Sequence, residues 1–439
     1  MSPVGQATLE ALARAYLDRQ PWFQVTSGGA PPSEISLVSA ELLREEPPSL
    51  SRLVLSCAGR SFSLFAGWRP ATDVAEALHE RESAIFGSAV SNDKSVFVYD
   101  ALADDILAVE LLARATKQKV RASRVREVTT LASHASLVYD ERYFMKCYRV
   151  LEPGTRPEIE LLEGLDSVGF NAMLSPIAFW QEDGVDLALV REFLPSALEG
   201  RLLAMTSLRD LLARASGYDT RGTVGVQEPE FDPDRVAGSA GGDLASEMRR
   251  LGAMAARLHL ALDEAFESRR LEPDELAASL GPFGEAGGGV PVPDALAGIR
   301  PGEAGAEIRL HGDFHLRRVM RSETGWVLAG FGDDPLYGSP MAFTSIPAQR
   351  GSPAEDLADM SFSIALVAQD ALGQRAPAEV DAASRLAEAW TRRNQEAFLQ
   401  GYAQAPGIGA LVPLGVLRQL VGALVAERVA DYEATLSFV

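Results

Sequence analysis

The chain has 439 residues, 47% hydrophobic and 23% charged, a composition typical of globular proteins that excludes wholesale disorder, collagen and long coiled coils. Acidic residues outnumber basic ones by 61 to 41, and the net charge of −20 disfavours nucleic acid and anionic membrane surfaces as partners. With only Cys57 and Cys147, we expect no zinc cluster and no disulfide framework, so a reducing, cytoplasmic location fits best. No signal peptide and no membrane-spanning segment is predicted.

Residues 1–117 are predicted to form a small α+β domain. Hydrophobic periodicity and turn signals predict five elements in it: a helix over 7–17 that ends before Pro21, hairpin strands over 53–57 and 61–65, a strand over 95–100, and a helix over 103–116.

The rest of the chain is predicted to form a smaller lobe over 118–196 and a mainly helical lobe over 197–439. In the smaller lobe we expect strands over 135–138 and 143–150, a helix over 156–168, and an apolar strand from 187 that ends at Pro195. In the helical lobe we expect helices over 207–216 and 243–267, a surface insertion over 217–242, and a Gly- and Pro-rich link over 281–302.

The segment His311-Gly312-Asp313 carries the chemistry. A buried strand delivers it onto a loop, and the strand over 326–329 returns to the same region. In a phosphotransferase, such a loop aspartate orients a substrate hydroxyl and accepts its proton, while the following hairpin supplies oxygen ligands for Mg²⁺. The three residues alone are equally compatible with Asp313 capping a turn and His311 satisfied within the loop.

An upstream strand carries Lys146, and the helix after it carries Glu158 and Glu160. This order is used when a lysine that grips nucleotide phosphates is held by a helix carboxylate. By itself, Lys146 also fits a solvent-facing strand position.

With these motifs in this order, the sequence resembles the maltokinase-like branch of the aminoglycoside-phosphotransferase superfamily, which includes bacterial maltokinases and actinobacterial glucosamine kinases. The resemblance runs nearly end to end, through the following motifs: Arg19-Gln-Pro-Trp22-Phe23, Ser133-His-Ala-Ser136, Leu151-Glu-Pro-Gly-Thr-Arg-Pro-Glu-Ile-Glu160, Ser352-Pro to Met360, Trp390 to Tyr402, and Glu427 with Tyr432-Glu433. It implies an α+β class and a bilobal protein-kinase-like fold, with an N-terminal α+β cap domain and a mainly helical C-terminal lobe.

The resemblance also implies roles for individual residues. ATP is the expected cofactor, and a sugar or amino sugar is the expected acceptor. The implied site residues are Lys146 on the α/β-phosphates, Glu160 or as second choice Glu158 as its partner, Ser133, His134 and Ser136 in a polar turn over the phosphates, Glu192 and Leu194 at the adenine, and Asp313 as the base.

Two positions depart from the family's metal-binding pattern. Arg318 stands where the family has a glutamine, and Gly330 stands where it has the aspartate that is the principal metal ligand. Because Mg²⁺ needs carboxylate and other oxygen ligands, we expect no ordinary metal site, and Mg²⁺ is doubtful. Two compensations stay open: Asp333 or Asp334 supplies a carboxylate, or the Arg318 guanidinium binds phosphate directly.

Three functions therefore stay open at this point. The first is a working sugar kinase with a rearranged metal site. The second is a pseudokinase that binds a nucleotide or a sugar, or serves as partner of another enzyme of carbohydrate metabolism. The third is a phosphotransferase with a different donor geometry. Metal dependence separates them, since a kinase needs Mg²⁺ or Mn²⁺ and an Arg318-based binder does not.

Overall fold

A computed structural model of the chain describes residues 4–91, 94–128, 134–215, 233–239, 243–280, 294, 296–331, 349–375 and 380–436. They form two compact units. The first contains residues 4–162 and 174–195, and the second contains 163–173 and the described parts of 196–331 and 349–436. No helix in the described ranges is both long and apolar enough to cross a membrane.

The first unit is rich in strands. Its helices are α1 (Gln6–Asp18), α2 (Pro21–Thr26), α3 (Ala71–Ala77), α4 (Asp105–Ala115) and the start of α5 (Pro157–Ser167). Its strands are β1 (Ser36–Arg44), β2 (Ser49–Cys57), β3 (Arg60–Pro70), β4 (Ile85–Ser91), β5 (Lys94–Asp100), β6 (Val125–Val128), β7 (His134–Tyr139), β8 (Tyr143–Tyr148), β9 (Val150–Leu151), β10 (Pro176–Glu182) and β11 (Val185–Glu192).

These strands form two antiparallel sheets. One has the order β1-β2-β3-β5-β4, with β9 also pairing with β3, and the other has the order β10-β11-β8-β7-β6. Helix α4 packs on both sheets, since Leu107 and Leu111 share one buried cluster with Phe65 of β3 and Leu187 of β11. Each such side chain contributes about 2 kcal/mol by leaving water. Packing on α4 therefore holds the two sheets together.

Most predicted elements of this unit are confirmed, and two short helices, α2 and α3, were missed. The hairpin of β2 and β3 turns at Ala58-Gly59, and α1, α4, α5, β7, β8 and β11 lie where the periodicity predicts them. The prediction treated Pro21 only as the end of the first helix. Proline also fits the first position of a new helix, where no backbone N–H is needed, and α2 begins there.

The second unit is mainly helical. Its helices are the end of α5, then α6 (Gly200–Ala215), α7 (Pro233–Ser239), α8 (Ala245–Ala265), α9 (Pro273–Ser279), α10 (Ala354–Gly373), α11 (Val380–Ala403) and α12 (Leu417–Leu436). Its short strands are β12 (Leu198–Glu199), β13 (Arg269–Arg270), β14 (Ala306–Arg309), β15 (Val319–Ser322), β16 (Gly325–Leu328) and β17 (Arg350–Gly351). They form two sheets, β12-β15-β16 and β13-β14-β17.

Helices α8 and α11 cross at a pair of glycines. A Cβ atom at Gly252 would collide with the backbone carbonyl of Phe398, and one at Gly401 would collide with that of Arg249. The helix predicted over 243–267 is confirmed by α8, whereas the helix predicted from 207 begins earlier, at Gly200. The predicted insertion over 217–242 lies outside the described residues except for 233–239, and the link over 281–302 does so over 281–293 and 295.

Candidate functional site

The first unit contains a buried ion pair at Lys146. Strand β8 carries the lysine, and its Nζ lies 2.6 Å from Oε2 of Glu158 near the start of α5. Both side chains are almost fully buried, and the Tyr148 hydroxyl donates to the same carboxylate oxygen at 3.2 Å. A charge-assisted hydrogen bond in such surroundings holds the ammonium group in one place, as a phosphate-binding lysine requires.

The preference for Glu160 as the partner of Lys146 was wrong, and the second choice, Glu158, is the residue that makes the ion pair. Successive residues of a helix are 100° apart, so residues two positions apart lie on nearly opposite faces. Glu158 is buried beside β8, while Glu160 is on a partly exposed face. Only the rotational phase of the helix decides between the two carboxylates.

The predicted polar turn at His134 and Ser136 is also wrong, since both residues lie in strand β7 and are buried. Ser136 is directly opposite Lys146 in the β7–β8 ladder, and His134 is opposite Tyr148. Residues directly opposite each other in a sheet share a face. The two polar residues therefore lie on the face of the lysine, although as strand residues. Ser133 lies outside the described residues.

The predicted adenine-binding residues lie at the end of β11. Glu192 is its exposed last residue, and Leu194 follows it in a half-buried position. The backbone here is anchored, because the Glu192 N–H donates to the carbonyl of Ser175 at 3.0 Å and the Phe193 N–H donates to that of Arg142 at 2.8 Å. Contact of Glu192 and Leu194 with adenine stays a prediction.

In the second unit, Asp356 fixes the loop that follows β14. Its carboxylate accepts the N–H groups of His311 and Gly312, each at 2.9 Å. Gly312 has φ +77°, which a residue with a side chain rarely adopts, and this lets two successive N–H groups face one carboxylate. The loop geometry therefore depends on a residue more than 40 positions downstream.

Asp356 is itself held by a buried chain of polar groups. His259 Nε2 lies 3.2 Å from Oδ2 of Asp356, and His259 Nδ1 lies 2.8 Å from the Tyr402 hydroxyl. Burial acts to raise the pKa of Asp356, but the His259 contact and the backbone N–H groups outweigh it and lower that pKa. The sequence motifs included Asp356 and Tyr402 without a role and missed His259, whose only signal is a polar residue on the buried face of α8.

His311 links the loop to the end of the following hairpin. Its Nδ1 accepts the Asp313 N–H at 3.2 Å, and its Nε2 lies 3.0 Å from the carbonyl oxygen of Gly330, so Nε2 carries the proton. The ring stacks on Phe331. Burial lowers the pKa of His311 to about 4, so the ring is neutral at physiological pH. Its two hydrogen bonds hold the loop against the end of the hairpin.

Both carboxylate oxygens of Asp313 are occupied. Arg318 donates to Oδ2 through Nε at 2.7 Å and also through Nη2, and His315 Nε2 lies 3.2 Å from Oδ1. Burial acts to raise the pKa of Asp313, but the His315 hydrogen bond and the Arg318 charge outweigh it and lower that pKa to about 2. Asp313 is thus a carboxylate held inside an ion pair, a partner for Arg318 that the sequence did not predict.

Those residues of this centre that the structure describes do not fit Mg²⁺. The described ranges contain no group of three His, Cys, Asp or Glu residues that could hold a metal ion. At the two positions of the implied ligands stand Arg318, which is buried, and Gly330, where a Cβ atom would lie 3.9 Å from Nη1 of Arg318. Asp333 and Asp334 lie outside the described residues.

Two further carboxylates near the start of α10 have raised pKa values. Burial and the neighbouring Asp356 raise the pKa of Glu355 to about 7. Burial also raises the pKa of Asp359 to about 6, although Arg428 forms an ion pair with it. Sequence reasoning missed both residues, because a raised pKa depends on burial that no local pattern shows.

No protein-family model matches the chain. Among solved structures, a glucosamine kinase in complex with glucosamine, ADP and inorganic phosphate is similar with a TM-score of 0.53 and 20% identity, over 90% of this chain and 88% of that chain. Glucosamine kinase in crystal forms A and B gives TM-scores of 0.51 and 0.52 at 19% identity, over 90% of this chain and 86% and 88% of those chains. Identity this low speaks for the fold alone. The chain therefore has a kinase-like α+β phosphotransferase fold, with a strand-rich N-terminal part and a helical C-terminal part, which confirms the predicted fold class.

Proposed function

We propose that this protein binds a nucleotide and a sugar or amino sugar in a sugar-kinase-like fold, with phosphoryl transfer suppressed at Asp313. One observation carries the proposal: the carboxylate that would act as the base has Arg318 on one oxygen and His315 on the other. This is the pseudokinase interpretation of the sequence.

The state of Asp313 explains why transfer would be slow. A base accepts a proton efficiently when its pKa is near the working pH, whereas the pKa of Asp313 is about 2. Accepting a proton from a sugar hydroxyl also requires Oδ2 to leave the guanidinium. Positioning and charge neutralisation supply nearly all of the catalysis in phosphoryl transfer, so a centre with Arg318 and Gly330 at the two implied ligand positions should lose several orders of magnitude in rate.

The Lys146 centre supports the nucleotide-binding half of the proposal. Its buried ion pair with Glu158 holds the ammonium group that would contact the phosphates of ATP, with His134 and Ser136 on the same sheet face. Glu192 and Leu194 would contact the adenine. The proposed organisation is a cap over 1–117, a nucleotide lobe over 118–196 and an acceptor lobe over 197–439, in a cytoplasmic protein.

A second candidate is a working sugar kinase. It is favoured by the intact Lys146–Glu158 pair and by the retention of Asp313, neither of which a protein under no catalytic demand has to keep. A role as partner of another enzyme of carbohydrate metabolism belongs to the first candidate, and no contact within the described residues tests it.

The test combines turnover with binding. ADP formation from ATP is measured with maltose, glucosamine or glucose, in Mg²⁺, Mn²⁺ or chelator, for the wild type and Asp313→Ala. We expect no turnover above the Asp313→Ala background, together with calorimetric binding of ATP and of at least one sugar. Metal-dependent turnover of about 1 per second that disappears in Asp313→Ala would establish the kinase instead. Absence of both turnover and binding would overturn both candidates.

A further inference from the structure

The positive charge at the Asp313 centre comes from a side chain of the protein, the guanidinium of Arg318. Arg318 ends a short 3₁₀ turn that begins at Leu316, and its side chain is 8% exposed. A guanidinium remains charged at every accessible pH, and its planar fork suits phosphate as well as carboxylate oxygens. The centre therefore contains a guanidinium that stays charged without any bound ion and is paired with the carboxylate of Asp313.

One edge of this guanidinium is open. Nε and Nη2 are engaged by Asp313, but Nη1 has no acceptor among the described residues. Nη1 is not among the enclosed polar atoms that lack a partner, so it reaches solvent. Among the described residues, Nη1 is also the atom nearest to the position that a Cβ atom at Gly330 would take, 3.9 Å away. The N–H groups of Nη1 are thus the donors of Arg318 that no described residue engages, and they can donate to an anion.

Gly330 and Arg318 depend on each other. Because a Cβ atom at position 330 would lie 3.9 Å from Nη1, an aspartate there would pair with Arg318 and cover the open edge. A glutamine at position 318 would free Asp313 and supply an amide oxygen, but the carboxylate at position 330 would still be missing. Only the two changes together would provide an amide oxygen and a carboxylate, the ligand type that Mg²⁺ takes, beside an unpaired Asp313.

We propose that Arg318 does the work of a divalent cation at this centre, so that the protein binds the phosphate chain of a metal-free nucleotide and excludes Mg²⁺. This inference rests on the nucleotide binding proposed above. Since Mg²⁺ neutralises part of the charge of ATP, it should compete with Arg318 for the phosphate oxygens rather than assist binding.

The test measures ATP affinity by calorimetry in EDTA and in excess Mg²⁺. The wild type is expected to bind ATP at least as tightly in EDTA as in Mg²⁺. Arg318→Gln should weaken binding in EDTA about 10-fold or more, and Arg318→Lys, which keeps the charge, should lose less. The matched control is Arg321→Gln, an arginine of β15 that pairs with Glu247 instead, and it should stay within about 2-fold of the wild type.

The double variant R318Q/G330D is expected to prefer ATP in Mg²⁺ to ATP in EDTA, the reverse of the wild type. It should bind ATP about 10-fold more tightly in Mg²⁺ than in EDTA and should bind Mn²⁺ alone, followed by electron paramagnetic resonance, whereas neither single variant should do so. Thermal unfolding confirms that each variant is folded. Wild-type binding that needs Mg²⁺, or unchanged EDTA affinity in Arg318→Gln, would overturn this inference and leave the proposed function standing. Absence of ATP binding in both buffers would overturn the proposed function, and this inference with it.

Discussion

Two buried ion pairs, one in each unit, have opposite consequences for chemistry. In the first unit, the carboxylate of Glu158 serves the lysine, because it holds the Nζ of Lys146 in one position. In the second unit, Arg318 donates hydrogen bonds to Oδ2 of Asp313, the oxygen that would accept a proton in the proposed reaction. The arginine therefore makes this carboxylate oxygen unavailable. Under the proposed function, the same type of contact thus prepares a ligand-binding group at one centre and blocks the base at the other.

The comparison teaches that the presence of a motif residue does not by itself determine which partners its side chain has. Asp313 is present, correctly placed on its loop and fixed by Asp356 through that loop's backbone, yet its own carboxylate is neutralised by a residue five positions away. The carboxylate of Glu158 is also engaged by a cation and accepts from Lys146 and Tyr148, but in the proposed function its task is to hold the lysine and not to accept a proton.

The largest effect is expected on folding stability, when Asp356, which fixes the Asp313 loop, is replaced. Asp356→Ala leaves two backbone N–H groups and His259 buried without their acceptor, so the free energy of unfolding should fall by about 3 to 5 kcal/mol. Urea unfolding measures the change. The control is Asp234→Ala, whose side chain is 64% exposed and pairs with Arg392, and it should cost less than about 1 kcal/mol. A loss below about 1 kcal/mol in Asp356→Ala would show that the loop does not depend on this carboxylate.

The next largest effect is expected on ATP affinity, at the Lys146 centre of the first unit. Lys146→Met removes the charge held by Glu158 and should weaken ATP binding about 10- to 100-fold, the contribution of one or two charge-assisted hydrogen bonds. Calorimetry measures the change, with Lys94→Met at an exposed position of β5 as the control. Equal affinities in the two variants would remove the nucleotide-binding role of the Lys146 centre.

A pH effect is expected at the start of α10. The pKa of Glu355 is about 7 in the folded protein and near its ordinary 4.5 in the unfolded chain, so the folded state binds more protons between these values. Folding stability should therefore fall as the pH rises from about 5 to 8, by about 1 to 2 kcal/mol for this partly exposed group. Glu355→Gln should flatten that part of the unfolding profile, and an unchanged slope would refute the assignment.

The smallest effect tests the far end of the chain of polar groups behind Asp356. Tyr402→Phe removes the hydroxyl that lies 2.8 Å from His259 Nδ1 and should lower the free energy of unfolding by about 1 kcal/mol. His259 keeps its contact with Asp356, so ATP affinity should stay unchanged. A loss as large as that of Asp356→Ala would mean that the loop is fixed mainly through Tyr402.

The fold and the identity of the key residues could be predicted from sequence because they depend on local patterns. Periodicity places β8 and α5, and short motifs identify Lys146 and Asp313. The partners could not be predicted in the same way. The choice between Glu158 and Glu160 depends on the rotational phase of a helix, and the Arg318–Asp313 pair depends on how a 3₁₀ turn folds back on its loop.

Contacts between distant parts of the sequence were the least predictable. His259 lies 97 residues before Asp356, and Tyr402 lies 143 residues after His259, so no window of the sequence contains the three groups together. The polar turn at His134 and Ser136 was implied by the resemblance alone, whereas the residue pattern predicted a strand over 135–138, which β7 confirms.

The most direct test of the central claim, that Arg318 suppresses transfer by occupying Asp313, compares ADP formation in the wild type and in R318Q/G330D. Each is assayed with ATP, glucosamine and Mg²⁺ beside its own Asp313→Ala version. We predict a wild-type rate at the Asp313→Ala background and, in the double variant, a rate at least about 100-fold higher that disappears with Asp313→Ala. A wild-type rate equal to or above that of the double variant, dependent on Asp313 and on Mg²⁺, would contradict the account.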